Sequence, residues 1–176
     1  MSSRIDVDEI RSKTTNGNLT IQPNGTGLIV PKRTVAFQVN ATDTDQSFTS
    51  GDGFTKVQWE NVELDTGSYW DATNHRYTPQ VAGWYMFGGN VRFQVASNMK
   101  YASASVYKNG SREVMHQIQL ANDEIGNGSI PIAAGLVQLN GSSDYAEVFV
   151  EFDHNTVIHD TANVKSNFFG MLVHAT

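Results

Sequence analysis

Five Asn-Gly pairs, beginning at residues 16, 24, 109, 127 and 140, punctuate this chain of 176 residues. Both residue types tolerate positive φ, the backbone geometry that tight hairpin turns require. Between the pairs run short stretches rich in β-branched and aromatic side chains, which leave little room for helices. Alternation is clearest over residues 83–95, where Tyr85, Phe87, Val91, Phe93 and Val95 share one parity and Met86, Asn90, Arg92 and Gln94 take the other. Residues 145–152 repeat the pattern: Ala146, Val148, Val150 and Phe152 point to a core, and Glu147 and Glu151 point outward. Phe149 sits on the charged parity. A ring there is either a lone exposed aromatic or a contact with a neighbouring subunit, which makes Phe149 the candidate subunit-interface residue.

Further strands are expected over residues 34–39, 55–62, 102–108, 112–118, 132–139 and 167–175. All four prolines, at 23, 31, 79 and 131, fall at expected strand edges or loops, where a missing N–H costs no ladder bond. Many short strands without helical patterns between them make an all-β sandwich or barrel. Residues 1–32 differ. They are rich in turn formers and offer Leu19 and Ile21 as a single buried pair, too little to fold alone, so they are expected to form a short β-rich stem ahead of a domain over 33–176. Fully extended, thirty residues reach on the order of 100 Å, which excludes a long shaft.

Composition narrows the function classes. With 39% hydrophobic and 17% charged residues the chain belongs with folded proteins, and a fold of this length buries roughly 70% of its unfolded surface. The net charge of -6, with no run of Lys or Arg to track phosphates, argues against nucleic acid and anionic membranes as partners. The absence of cysteine removes disulfides, thiolate zinc sites and cysteine nucleophiles together, so stability must come from packing or association. No apolar stretch approaches the roughly 18 residues of a membrane span, and the first ten residues lack the apolar core of a signal peptide. Synthesis in the cytoplasm without membrane insertion is expected.

From residue 57 onward the order of motifs becomes specific. Val57-Gln-Trp-Glu-Asn-Val62 is followed by Trp70-Asp-Ala-Thr-Asn-His-Arg-Tyr-Thr-Pro79 and by Val81-Ala-Gly-Trp-Tyr-Met-Phe87. Val106-Tyr-Lys-Asn-Gly110, Ala134-Gly-Leu-Val-Gln-Leu139 and Ser166-Asn-Phe-Phe-Gly-Met-Leu-Val173 come next, in order. This progression, from about residue 35 to the end, resembles the globular domain of the C1q and tumour-necrosis-factor-like family. The resemblance implies a ten-stranded jelly-roll sandwich that assembles as a homotrimer through a threefold-symmetric apolar interface, with Tyr85, Phe87, Phe168 and Gly170 at core-pattern positions. The glycine fits a place where a side chain would collide with a neighbouring strand or subunit.

Two features depart from animal members of that family, which carry a Gly-X-Y collagen stalk and a secretion signal. Here Val7-Asp-Glu-Ile10 and Asn16-Gly-Asn-Leu-Thr-Ile-Gln-Pro-Asn-Gly-Thr-Gly27 resemble instead the opening of small bacteriophage virion proteins, fibre-like and decoration proteins among them. That resemblance implies a virion protein whose stem docks on other virion proteins.

No catalytic constellation is visible. The histidines at 75, 116, 154, 159 and 174 lack metalloenzyme spacing, and no Gly-x-Ser-x-Gly elbow occurs. No cofactor is expected, and the chain reads as a non-enzyme. Asp43, Asp45 and Asp52 are the candidate ligands for calcium, without the spacing of a dedicated loop, and some relatives of the resembled family bind calcium near the trimer axis. His154 and His159, with Asp153 and Asp160, flank a turn that could hold an ion or be plain solvated loop. Trp70 and Tyr77 are either core or loop-anchor rings or the candidates for stacking on a host-surface glycan or receptor. The functional expectation is a homotrimeric spike or short tail fibre whose knob attaches to the host surface. The alternative is a capsid decoration protein that stabilises the shell without a ligand.

Overall fold

The computed structural model describes residues 34–41, 45–121, 126–158 and 165–176. The stem expected over residues 1–32 lies outside them, as do Asp43, His159 and Asp160. Thirteen strand segments and no helix occur among the described residues: β1 (Ala36–Asn40), β2 (Gln46–Phe48), β3 (Thr55–Lys56), β4 (Asn61–Asp65), β5 (Trp70–Asp71), β6 (Arg76–Tyr77), β7 (Ala82–Val95), β8 (Tyr101–Lys108), β9 (Ser111–Gln119), β10 (Gly126–Asn140), β11 (Ala146–Phe152), β12 (Thr156–Ile158) and β13 (Asn167–Ala175). Five of these are only two or three residues long, which is why the count exceeds ten.

The strands pair antiparallel in two sheets. In the first, β7 carries β10 along one edge and β13, then β12, along the other; β1 and β4 lie beyond β13, and β2 lies beyond β12. In the second, β11 is flanked by β8 and then β9 on one side and by β3 and the β5–β6 pair on the other. The strand expected over 55–62 is broken, and for a physical reason. After β3 the chain crosses from the second sheet to the first: Val57 N–H donates to Val148 at 2.9 Å, Glu60 N–H donates to Asn40 at 3.2 Å, and Val57 and Trp59 are buried on the way.

The two inner faces meet over the alternating residues. Tyr85, Phe87, Val91 and Phe93 from β7 and Ala146, Val148 and Val150 from β11 are fully buried, with Val95 and Phe152 nearly so. Aromatic rings fill one end: Phe37 stacks on Tyr77 at 4.0 Å and meets Phe168 edge-on at 5.0 Å, while Phe87 stacks on Phe168 at 5.7 Å. A smaller group, Phe48, Phe93 and Phe152, closes the other end at 5.0 and 5.5 Å. Burying a side chain of this size stabilises the fold by roughly 1.5–3 kcal/mol. Gly170 belongs to the larger group, because a Cβ there would lie 2.6 Å from both Phe37 and Phe87. The collision that this glycine avoids is with the chain's own core rings.

Turn chemistry divides the Asn-Gly pairs. Asn109 and Gly110 both take positive φ, 51° and 77°, the geometry of a tight hairpin turn between β8 and β9. The Asn127-Gly128 pair is no turn. It lies inside β10 opposite Gln94 and Phe93, where a Cβ on Gly128 would meet the Phe93 ring at 2.6 Å. Pro131 also lies within β10 rather than at its edge, and is tolerated because among the described residues β10 pairs only with β7, so its other side needs no donor for a ladder.

Candidate self-association face

The outer surface of the first sheet is apolar where a solvated sheet face would be polar. Leu136 on β10, Met86 on β7, Met171 on β13 and Ala36 on β1 form one rung across four strands. The next rung runs Gly88, Phe169, Gln38 and Leu64, with the Phe169 ring lying over Gly88, where a Cβ would come within 2.8 Å of it. On the other side of the Met86 rung, Trp84 stands opposite Gln138 and His174, and a register shift between Leu172 and His174 leaves Val173 exposed beside them. Leu136 is 56% exposed, Val173 55% and Leu64 47%. Of the seven large apolar side chains exposed among the described residues, six come from strands of this sheet. Clustering of this kind marks an interaction surface, whereas single exposed apolar residues do not. Alternation alone could not reveal the face, since both parities of β7 and β13 carry apolar residues.

Phe149 lies on the opposite side of the molecule, on the outer face of the second sheet. Its ring packs against Tyr107 at 4.3 Å with Lys56 Nζ 5.7 Å from its centroid, and Tyr107 in turn meets Phe54 at 6.1 Å. Lys56 pairs with Glu147, which is thereby buried although it points outward. The Phe149 ring is therefore partly covered by side chains of its own chain. Arg112 completes the group, 5.1 Å from the Phe54 ring and 3.5 Å from Met115 Sδ.

Tyr77 has no face to offer a sugar, and Trp70 gives one face to the core. Tyr77 is fully buried, stacked on Phe37, and burial holds its hydroxyl well above the ordinary tyrosine range. Trp70 is half-buried at 5.6 Å from Phe37, and its indole nitrogen is enclosed. The sequence left core packing and sugar stacking both open, because β5 and β6 are two-residue strands whose orientation only the packed sandwich sets. Tyr85 and Phe87 are fully buried, as is Phe168. The Tyr85 hydroxyl donates to Val81 at 2.8 Å, and burial pushes its pKa up to about 12.

Of the acidic candidates, Asp45 and Asp52 lie in different settings. Asp52 closes a turn by donating its N–H to Thr49, between Gly51 and Gly53 at φ 91° and 67°. Asp45 opens on a separate polar cavity of about 380 Å³ lined with Arg92, Gln94, Asn127 and Val157. Asp153 is committed to the backbone, accepting from the N–H groups of Lys100 at 3.0 Å and Tyr101 at 3.4 Å. No group of three or more His, Asp or Glu side chains fit to hold a metal ion occurs among the described residues.

With two antiparallel sheets packed face to face and a long strand paired on both edges, the architecture can be compared with known folds. The globular domain of zebrafish complement 1qA protein superposes with a TM-score of 0.55 at 13% identity, covering 82% of this chain and all of that domain. The fold is a C1q-like jelly roll. No family model and no curated protein matches the sequence. At 13% identity the likeness is one of architecture.

Proposed function

We propose that this chain is a structural, non-enzymatic subunit of a bacteriophage virion: a homotrimeric spike or short fibre whose C1q-like knob faces outward and attaches to the host surface, while residues 1–32 dock on other virion proteins. The observation that carries the self-association is the apolar outer face of the first sheet, with Trp84, Leu136 and Met171 exposed in water. Placing three copies with these faces toward a common axis would bury them, each side chain contributing roughly 1.5–3 kcal/mol when fully enclosed. The setting in a virion is supported by the resemblance of residues 7–10 and 16–27 to the opening of small phage virion proteins.

Attachment would then use surface loops of the knob, multiplied threefold by avidity. The test has two parts. Light scattering on the purified chain is expected to give three times the chain mass, and the Met171→Glu variant is expected to be monomeric at micromolar concentration with its far-UV spectrum unchanged. The purified knob is then expected to compete with phage adsorption. Particles that lack the protein yet adsorb normally, and lose resistance to heat, would replace attachment with shell decoration.

A further inference from the structure

Beside the apolar field, one rung of the first sheet is made of asparagine on four adjacent strands. Asn90 of β7 stands opposite Asn167 of β13, Asn167 opposite Asn40 of β1, and Asn40 opposite Asn61 of β4. Asn90 and Asn167 lie on the outer face, since their sequence neighbours Val91 and Phe168 are fully buried inward. They also lie next to the Gly88–Phe169 rung, where the apolar surface ends.

The hydrogen bonds leave this bar half-used. Asn167 Nδ2 donates to Asn90 Oδ1 at 2.9 Å, and Asn40 Nδ2 donates to Glu63 at 2.8 Å. Glu63 is itself 3.7 Å from Lys165, so that end of the rung is tied down by charge. An amide carries two donor hydrogens and a two-lone-pair acceptor. Asn90 therefore keeps its NH₂ group, and Asn167 its carbonyl, without a side-chain partner among the described residues. Gly89 permits this closeness, with φ at 145° and the Asn167 carbonyl oxygen only 2.1 Å from where a Cβ would stand.

We infer that the Asn90–Asn167 amide pair sets the register of self-association on this face, with further copies of the same chain as its occupant. The inference rests on the self-association reading above. A purely apolar face tolerates sliding, because hydrophobic burial is non-directional. Sliding a copy by one rung, about 7 Å along the strands, would press these amides against the Gly88–Phe169 rung and desolvate them unpaired. In register, each amide meets a group that is both donor and acceptor, as another copy of this rung is. A single polar position fixes register and oligomer state in coiled coils by the same physics.

The experiment compares wild type with the N90L/N167L variant by size-exclusion chromatography with light scattering. Wild type is expected to run as one trimeric species. The leucine variant is expected to hold a thermal midpoint no lower than wild type while its non-trimeric fraction rises at least tenfold, spread over several species. A leucine variant that remains a single trimer overturns the register role and leaves the trimer reading standing. A monomeric wild type overturns both. If the leucine variant does not fold, N90S/N167S serves instead, keeping polarity but shortening the reach. Its non-trimeric fraction is expected to rise about threefold, and an unchanged profile overturns the inference.

Discussion

Tyr77 carries a buried hydroxyl that finds no hydrogen-bond partner among the described residues, on a ring stacked 4.0 Å from Phe37. Its ring contributes packing and its oxygen only a desolvation cost. Tyr77→Phe is accordingly expected to raise unfolding stability by roughly 1 kcal/mol in urea titration, with the oligomeric state unchanged. Gly170 is the converse case. Gly170→Ala drives a methyl into the Phe37 and Phe87 rings, and overpacking of this kind costs about 1–3 kcal/mol. A lowered urea midpoint with an unchanged m-value is the expected readout. A variant as stable as wild type would mean that the rings relax around the extra methyl.

Loops at one end of the sandwich are held together by carboxylates. Asp144, in the connection from β10 to β11, accepts from Asn109 Nδ2 at 2.7 Å and Asn140 N–H at 3.0 Å and pairs with Lys108 at 3.0 Å. It thereby joins this loop to the β8–β9 turn. Burial by itself raises the carboxyl's pKa, but the hydrogen bonds from Asn109, Lys108 and Asn140 outweigh it and hold the group below its ordinary value of 3.8. A folded-state value below the unfolded one means that the stabilisation is fully present above 3.8 and is lost as pH falls through the lower folded-state value. Asp71 shifts the same way, chiefly through its bond from Asn74. Acid titration followed by circular dichroism is expected to show stability falling below pH 4, and Asp144→Asn is expected to be less stable at pH 7 with a shallower fall. An unchanged acid slope in that variant would remove Asp144 as a contributor. At the same turn, Gly110→Ala places a Cβ at φ 77° and is expected to cost about 1–2 kcal/mol, read by thermal unfolding.

For the whole molecule, the two outer faces have opposite characters. The second sheet covers its exposed rings itself, with Lys56 and Arg112 set over Phe149 and Phe54. The first sheet leaves Trp84, Leu136, Met171 and Val173 uncovered among the described residues. Replacing Leu136 by Glu is therefore expected to abolish self-association while leaving folding intact, since the side chain packs against nothing inward. Phe149→Ala is expected to destabilise the monomer by a few kcal/mol, within the usual range for a partly buried ring, and to leave the oligomeric state unchanged. Dissociation of the Phe149 variant, with Leu136→Glu still assembled, would exchange the roles of the two faces.

Period-two alternation and turn residues made the all-β class and the inward set of β7 and β11 legible in the sequence, because side chains one residue apart must point to opposite sides of a sheet. Residue order likewise made the C1q-like progression of buried rings legible. Other features were decided only in three dimensions. The break at residues 57–60 depends on where the chain changes sheets, and the burial of Tyr77 and Trp70 on rings more than thirty residues distant. The outer face that is left uncovered depends on which long-range neighbours reach it. Phe149 shows this most plainly: the sequence placed its ring on an outer face, as the structure does, but Tyr107 and Lys56 arrive from other strands to cover it. Local pattern fixes the side of a sheet on which a side chain stands, and only tertiary packing determines what stands next to it.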